Sequence, residues 1–283
     1  MRIGFWGIMA ASLAAGISAA PGARADESPF AYVYTTDTQP AGSAELEQWL
    51  TYENGRPSES WNHVQGRTEL EYGLTNRLQA AVMFNYDWLN IRPHGPAAAD
   101  SAADEFTYTS TGAELVYQLS DPYTHPVGVA VYFEPSYGSD YQEIETKLLV
   151  DSHFLDDRLI AAANLIVEYE WKREDGNWHK GTEITLYAGL GYRFAPGWSA
   201  ALEFKAKREF DGIAIFQQAS AAADSFTLGP TLHYAQEGWW ASLGLQEQLP
   251  WASNLSGETG ETMGGFAHEE PRTALRLRVG IEL

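Results

Sequence analysis

The sequence predicts an all-β chain: a single antiparallel transmembrane β-barrel of about twelve strands, within a range of about ten to fourteen. Three observations lead there. Apolar side chains recur at every second position, in segment after segment, from Ala44 to Leu283. That period of two marks strands with one apolar face. The positions between carry Glu, Lys, Arg and Gln, and a face so ionised cannot pack as an apolar interior. Finally, short and long connections mostly alternate, as expected of short periplasmic turns at one rim and longer extracellular loops at the other.

In chain order, Arg2 opens a short basic segment, Phe5 to Ala20 is apolar and small, and Ala23-Arg24-Ala25 fits a small-x-small cleavage rule. Residues 1–25 therefore read as a signal peptide. Residues 26–43 are expected to form an N-terminal periplasmic arm or a plug segment, and the SPFAYVYTT core also suits an extra strand. The barrel is expected over 44–283. Its strands are predicted at 44–53, 61–74, 77–88, 106–118, 126–136, 140–150, 157–170, 180–194, 197–210, 223–235, 238–248 and 271–283. Thr75-Asn76, Ala195-Pro196 and Gln236-Glu237 make tight turns, and DPYTHP and SHFLDD are also short. The longer links are 54–60, 89–105, 171–179, 211–222 and 249–270, while SYGSD breaks the alternation. An even strand count places both ends of the barrel on the short-turn side.

Parity assigns each side chain to a face. The last segment sets Thr273, Leu275, Leu277, Val279, Ile281 and Leu283 against Ala274, Arg276, Arg278, Gly280 and Glu282. Apolar faces end in aromatics, among them Tyr52, Tyr72, Trp88, Trp171, Tyr192, Phe194, Trp198 and Trp239. Aromatic rings at both rims match the girdles of membrane barrels. The apolar face thus meets lipid, and the ionised face lines the interior. Glu69, Glu71, Glu143, Glu145, Glu168, Glu203, Arg276 and Arg278 are the expected lumen-lining residues.

The chain holds 38 acidic and 18 basic residues, a net charge of −20. That balance disfavours nucleic acid as a partner and makes the lumen net negative, favouring cations over anions. Cys is absent, which removes thiol nucleophiles and thiolate-bound metals. No catalytic residue and no cofactor is expected: none of the HExxH, GxSxG, GxGxxG or phosphate-loop patterns occurs. Of the seven His, only His233 is placed to face the lumen along a strand. His63 and His179 lie near the outer ends of two strands, where a lipid hydrolase would keep its base; polar rim residues are the simpler reading. Glu258, Glu261, His268, Glu269 and Glu270 form an acidic stretch without metal-ligand spacing.

The segments LEQWLTYENGR, GRTELEYGLTNRLQAA, YFEPSYG, FLDDRLIAAANLIVEYEW and LGPTLHYAQEGWWASLG resemble an uncharacterised family of bacterial outer-membrane β-barrel proteins. The likeness spans most of 44–283 and implies the fold and the outer-membrane location, without an activity. One departure is the final residue: many such barrels end in Phe or Tyr, and this chain ends in Leu283. The leading functional expectation is a pore or channel for small solutes with an acidic lumen. The alternatives are a closed structural or partner-binding barrel and an outer-membrane lipid hydrolase. The expected partners are outer-membrane lipid, lipopolysaccharide, the barrel-assembly machinery and small solutes.

Overall fold

The computed structural model describes residues 28–56, 59–93, 103–174, 176–215, 219–256, 262–267 and 270–283. The expected signal peptide, residues 1–25, lies outside them. Twelve long strands dominate: β1 (Ala44–Asn54), β2 (Glu59–Thr75), β3 (Leu78–Pro93), β4 (Ala103–Ser120), β5 (Gly128–Tyr137) and β6 (Tyr141–Phe154), then β7 (Leu159–Glu174), β8 (Asn177–Ala195), β9 (Trp198–Asp211), β10 (Ser220–Gln236), β11 (Trp239–Gln248) and β15 (Thr273–Glu282). Three two-residue strands, β12 (Ser253–Asn254), β13 (Thr262–Met263) and β14 (Phe266–Ala267), lie in the link between β11 and β15.

Each long strand pairs antiparallel with its sequence neighbour, and β15 pairs with both β11 and β1. The ring is closed. The closing seam runs over ten residue pairs, from Glu45 opposite Glu282 to Asn54 opposite Thr273. A closed ring leaves no ladder of unpaired backbone groups, which is the condition for a sheet to exist in lipid. No helix among the described residues is long and apolar enough to cross a membrane.

The parity of the sequence is the parity of burial, with the apolar side outward. Tyr117, Val131, Leu148, Leu165 and Leu186 lie on one cross-strand row through β4 to β8, and all five are exposed. Their sequence neighbours Val116, Tyr132, Lys147, Asn164 and Thr185 are buried. Exposed aromatics gather at two levels. Tyr72, Tyr117, Tyr192, Phe194 and Trp198 stand near the turns, and Tyr52, Tyr108 and Tyr137 stand near the opposite rim. An apolar belt bounded by aromatic rings around a closed barrel is a surface made for a bilayer. The location that follows is the outer membrane.

The turns are built as their residues dictate. Gly197 and Gly238 take positive φ of 74° and 85° in the two-residue turns β8–β9 and β10–β11, a region where a Cβ is costly. The β6–β7 turn instead holds Leu155, Asp156 and Asp157 at φ of 57°, 53° and 69°. There Asp157 is anchored by His153 Nδ1 at 2.6 Å and by Arg193 at 3.4 Å. His153 thus belongs to the end of β6 and not to the turn. A larger correction concerns 171–179, expected as a long loop. It is a continuation of the β7–β8 hairpin, with Lys172 opposite His179 and Arg173 opposite Trp178. Both faces of this projecting hairpin are solvated: 172–174 and 176–180 are exposed throughout. With water on both sides, a strand needs no apolar parity, so the period of two disappears while the hydrogen-bond ladder continues.

The lipid row sets a measurable cost. Leu165→Arg, on the apolar belt, should destabilise the barrel by about 2–4 kcal/mol in a lipid bilayer, and Leu165→Ala by less. Urea unfolding in vesicles, followed by tryptophan fluorescence, reads both.

Candidate functional site

The interior of the barrel is the candidate site. It is polar and crowded. Glu45, Glu69, Glu134 and Glu203 are all at most 1% exposed. Burying such groups is prohibitive unless they are paired and hydrogen-bonded, and most are. Arg67 on β2 holds Glu134 on β5 bidentately, at 2.9 and 3.2 Å. Arg278 on β15 reaches both oxygens of Glu47 on β1, at 2.9 and 3.2 Å. Lys147 meets Glu145 at 2.7 Å while its ammonium lies 3.8 and 3.7 Å from the ring centres of Tyr34 and Tyr132. Lys207 touches Glu183, Glu209 and Glu270. Lys205 touches Glu270 at 3.0 Å. Burial alone would raise the Glu270 carboxyl, but Lys205 and Lys207 pull it well below the usual carboxylate range.

The expected lumen-lining residues separate into two groups by burial. Glu69, Glu71, Glu145, Glu203 and Arg278 are buried on the inner parity. Glu143, Glu168 and Arg276 are partly buried on the same parity. Glu143, Glu145 and Glu168 converge on one another across β6 and β7. Arg276 donates to Thr51 at 2.9 Å, and its guanidinium lies 4.3 Å from the ring centre of Tyr32. Glu203 stands apart from the others, because its partner is backbone.

That backbone belongs to the N-terminal segment. Residues 28–43 form no strand and run inside the barrel. Phe30, Ala31, Tyr32, Val33 and Thr36 are buried there, and Phe30 and Val33 pack on Ile160, Ala162 and Ala201 of the wall. The Glu203 carboxylate accepts three consecutive backbone N–H groups, from Ala31 (2.9 Å), Tyr32 (2.8 Å) and Val33 (2.7 Å), and also the Thr231 hydroxyl. Asn164 clasps Tyr34 twice, accepting its N–H at 2.8 Å and donating to its carbonyl at 2.9 Å. Asp151 accepts the N–H and hydroxyl of Thr36 at 3.0 and 2.9 Å. Gln118 donates to the Thr36 carbonyl at 3.0 Å, and Gln79 accepts the N–H of Gln39 at 2.8 Å.

These hooks come from β3, β4, β6, β7 and β9, so the segment is tied to the wall at several strands. The wall also makes room for it. A Cβ added at Gly189 would lie 2.6 Å from the Phe30 ring, and one at Gly73 would lie 2.0 Å from the Pro40 carbonyl. Alternation could not locate this segment, since it has no strand period. The available signal was the set of interior residues with spare hydrogen-bonding capacity, Asn164, Asp151, Gln79 and Gln118, which stand where a packed or watery lumen does not require them.

Hydrolase geometry is not assembled at the candidate histidines. Both ring nitrogens of His63 face carboxylates, Glu53 at 3.1 Å and Asp87 at 3.6 Å. His179 is exposed on the projecting hairpin. His233 is buried and shares a hydrogen bond with Ser242 at 2.7 Å. In the acidic stretch, Glu258, Glu261, His268 and Glu269 lie outside the described residues. Glu270 is engaged by the two lysines.

Replacing Glu203 by Gln removes the charge that strengthens three backbone hydrogen bonds, each worth roughly 1.5–3 kcal/mol to an ionised acceptor. The expected outcome is faster amide hydrogen exchange at Ala31, Tyr32 and Val33, with the barrel strands unchanged. Asn164→Ala should do the same at Tyr34.

The architecture is shared with known channels. The COG4313 outer membrane channel from Pseudomonas putida F1 superposes with a TM-score of 0.58 at 12% identity, covering 88% of this chain and 98% of that one. The NanC porin gives a TM-score of 0.51 at 11% identity, covering 84% of this chain and 100% of that one. At such identities the likeness is one of fold. No curated protein matches the sequence. The model of a family of unknown function, DUF6662, matches residues 22–283, and the chain belongs to that family.

Proposed function

We propose that the protein is an outer-membrane channel for small solutes, with an acidic lumen closed in its resting state by residues 28–43 acting as a plug. The observation that carries this reading is how the segment is held. From Ala31 to Gln39 its backbone is bound by side chains of the wall, Glu203, Asn164, Asp151 and Gln79, and backbone pairing with the wall begins only at Gly42 and Ser43, which meet Gly73. A segment held through side chains can leave without opening the barrel ladder. Once vacated, the lumen would present Glu203, Asp151, Glu71 and Glu145 together with the paired cations Arg67, Lys147 and Arg278. Carboxylates outnumber cations on that wall, so the vacated pore favours cationic and neutral solutes. The solved outer-membrane channel and porin that share the fold support the reading at the level of architecture.

The dense filling of the lumen favours one other reading, a permanently closed barrel that acts through its loops. Planar-bilayer recordings separate the two. The full-length protein should show low, rare conductance. Deletion of 28–38 should give large, lasting conductance, with a reversal potential under a salt gradient that reports cation preference. Silence from a deletion variant that is folded, as judged by heat-modifiable migration in gels, would sink the channel reading and leave the closed barrel.

Lipid and lipopolysaccharide would contact the apolar belt, and assembly would proceed through the general barrel machinery despite the terminal Leu283. In both readings the protein is a non-enzymatic barrel.

A further inference from the structure

One cluster of carboxylates is not neutralised by the ion pairs described above. Glu69 and Glu71 on β2 and Glu114 on β4 each offer an oxygen within 4.8 Å of the others, and all three are buried. Glu71 also belongs to a second triad with Glu45 and Glu47. The nearby cations are already engaged. Arg278 holds Glu47, and Arg67 holds Glu134 bidentately, leaving Arg67 3.9 Å from Glu69, beyond hydrogen-bond reach. Lys147 is committed to Glu145.

Glu69 is the second observation. It is 1% exposed, and neither of its carboxylate oxygens has a hydrogen-bond partner. Buried polar atoms are almost always satisfied, and an exception calls for an explanation, of which a bound ion is one. Its two neighbours do have neutral donors: Gln79 donates to Glu114 at 3.1 Å, the Tyr132 hydroxyl also bonds Glu114, and Gln39 donates to Glu71 at 3.2 Å. Beside them is a cavity of about 410 Å³, lined by Glu47, Glu71, Glu114, Gln79 and Trp49. It gives a cation an approach and room for water ligands.

We infer that Glu69, Glu71 and Glu114 bind one hard divalent cation of the calcium type. Hard cations of this kind take six to eight oxygen ligands, commonly from carboxylates, amide carbonyls and water. The site offers carboxylates and a cavity with room for water ligands, and no thiol or imidazole is in the triad to attract a softer metal. The Glu143, Glu145 and Glu168 triad is a poorer candidate: Lys147 meets Glu145, and the Tyr141 hydroxyl donates to Glu143. The bound cation would also abut the plug, because Gln39, which donates to Glu71, belongs to residues 28–43. The inference stands whether or not the barrel conducts.

The test uses the full-length mature protein, refolded free of lipopolysaccharide, stripped with chelator and kept in detergent micelles. Calcium is titrated calorimetrically, and terbium luminescence excited through Trp49 and its aromatic neighbours serves as the second probe. One calcium per chain is expected, displacing terbium. Affinity should fall at least tenfold in Glu69→Gln and in Glu114→Gln, and stay unchanged in Glu143→Gln. In chelator the Glu69→Gln and Glu114→Gln barrels should melt higher than the parent, since the repulsion is gone, and calcium should no longer raise their melting temperature. Heat-modifiable migration verifies that each variant is folded. A folded parent barrel that binds no calcium overturns the inference, even if the Gln variants are more stable. So does undiminished binding in both variants.

Discussion

Closure of the ring is the constraint on which the rest of this molecule depends. In hydrocarbon a backbone N–H or C=O has no water to turn to, so a sheet can persist there only without an edge. The pairing of β15 with β1 supplies that condition, and it joins residues more than two hundred positions apart. Once the ring is closed, each strand has one face toward lipid and one toward the interior. The apolar parity must go outward, and the ionised parity is forced inward. This is the reverse of a soluble barrel, and every later feature is a way of coping with charge inside.

Three devices manage that charge. Arginine and lysine reach across or along the wall to carboxylates, as in Arg67 with Glu134 and Arg278 with Glu47. Aromatic faces take up part of the cationic field. Trp49 faces the guanidinium groups of Arg67 and Arg278, and its indole N–H donates to Glu47. The third device is the N-terminal segment itself. An extended chain outside any sheet needs acceptors for its N–H groups, and an interior rich in carboxylates and amides can supply them. Carboxylates inside the barrel and the backbone N–H groups of the N-terminal segment thus satisfy each other, most directly at Glu203. Where no such partner arrives, as at Glu69, the acid is left over.

Much of the architecture was legible because strand periodicity is a local property. The twelve long strands, their order and the face of each residue follow from alternation and turn chemistry, and the observed boundaries differ from expectation mainly at the outer ends. There the reason is physical. In the 171–179 region both faces meet water, so the residues lose their parity although the ladder continues. The candidate site was legible as a list of inward-facing residues and no further. Parity places Glu203 and Glu145 on the same kind of face, yet one binds backbone and the other a lysine.

The sequence by itself determined that the chain is a β-barrel with lipid outside and ionised groups inside, because a two-residue repeat encodes a face without reference to distant residues. Only the tertiary structure decided which charges meet, that residues 28–43 occupy the interior, and that Glu69, Glu71 and Glu114 converge with no hydrogen-bond donor on Glu69. Those are matters of register across neighbouring strands and of distance across the lumen. Both arise only when the barrel closes.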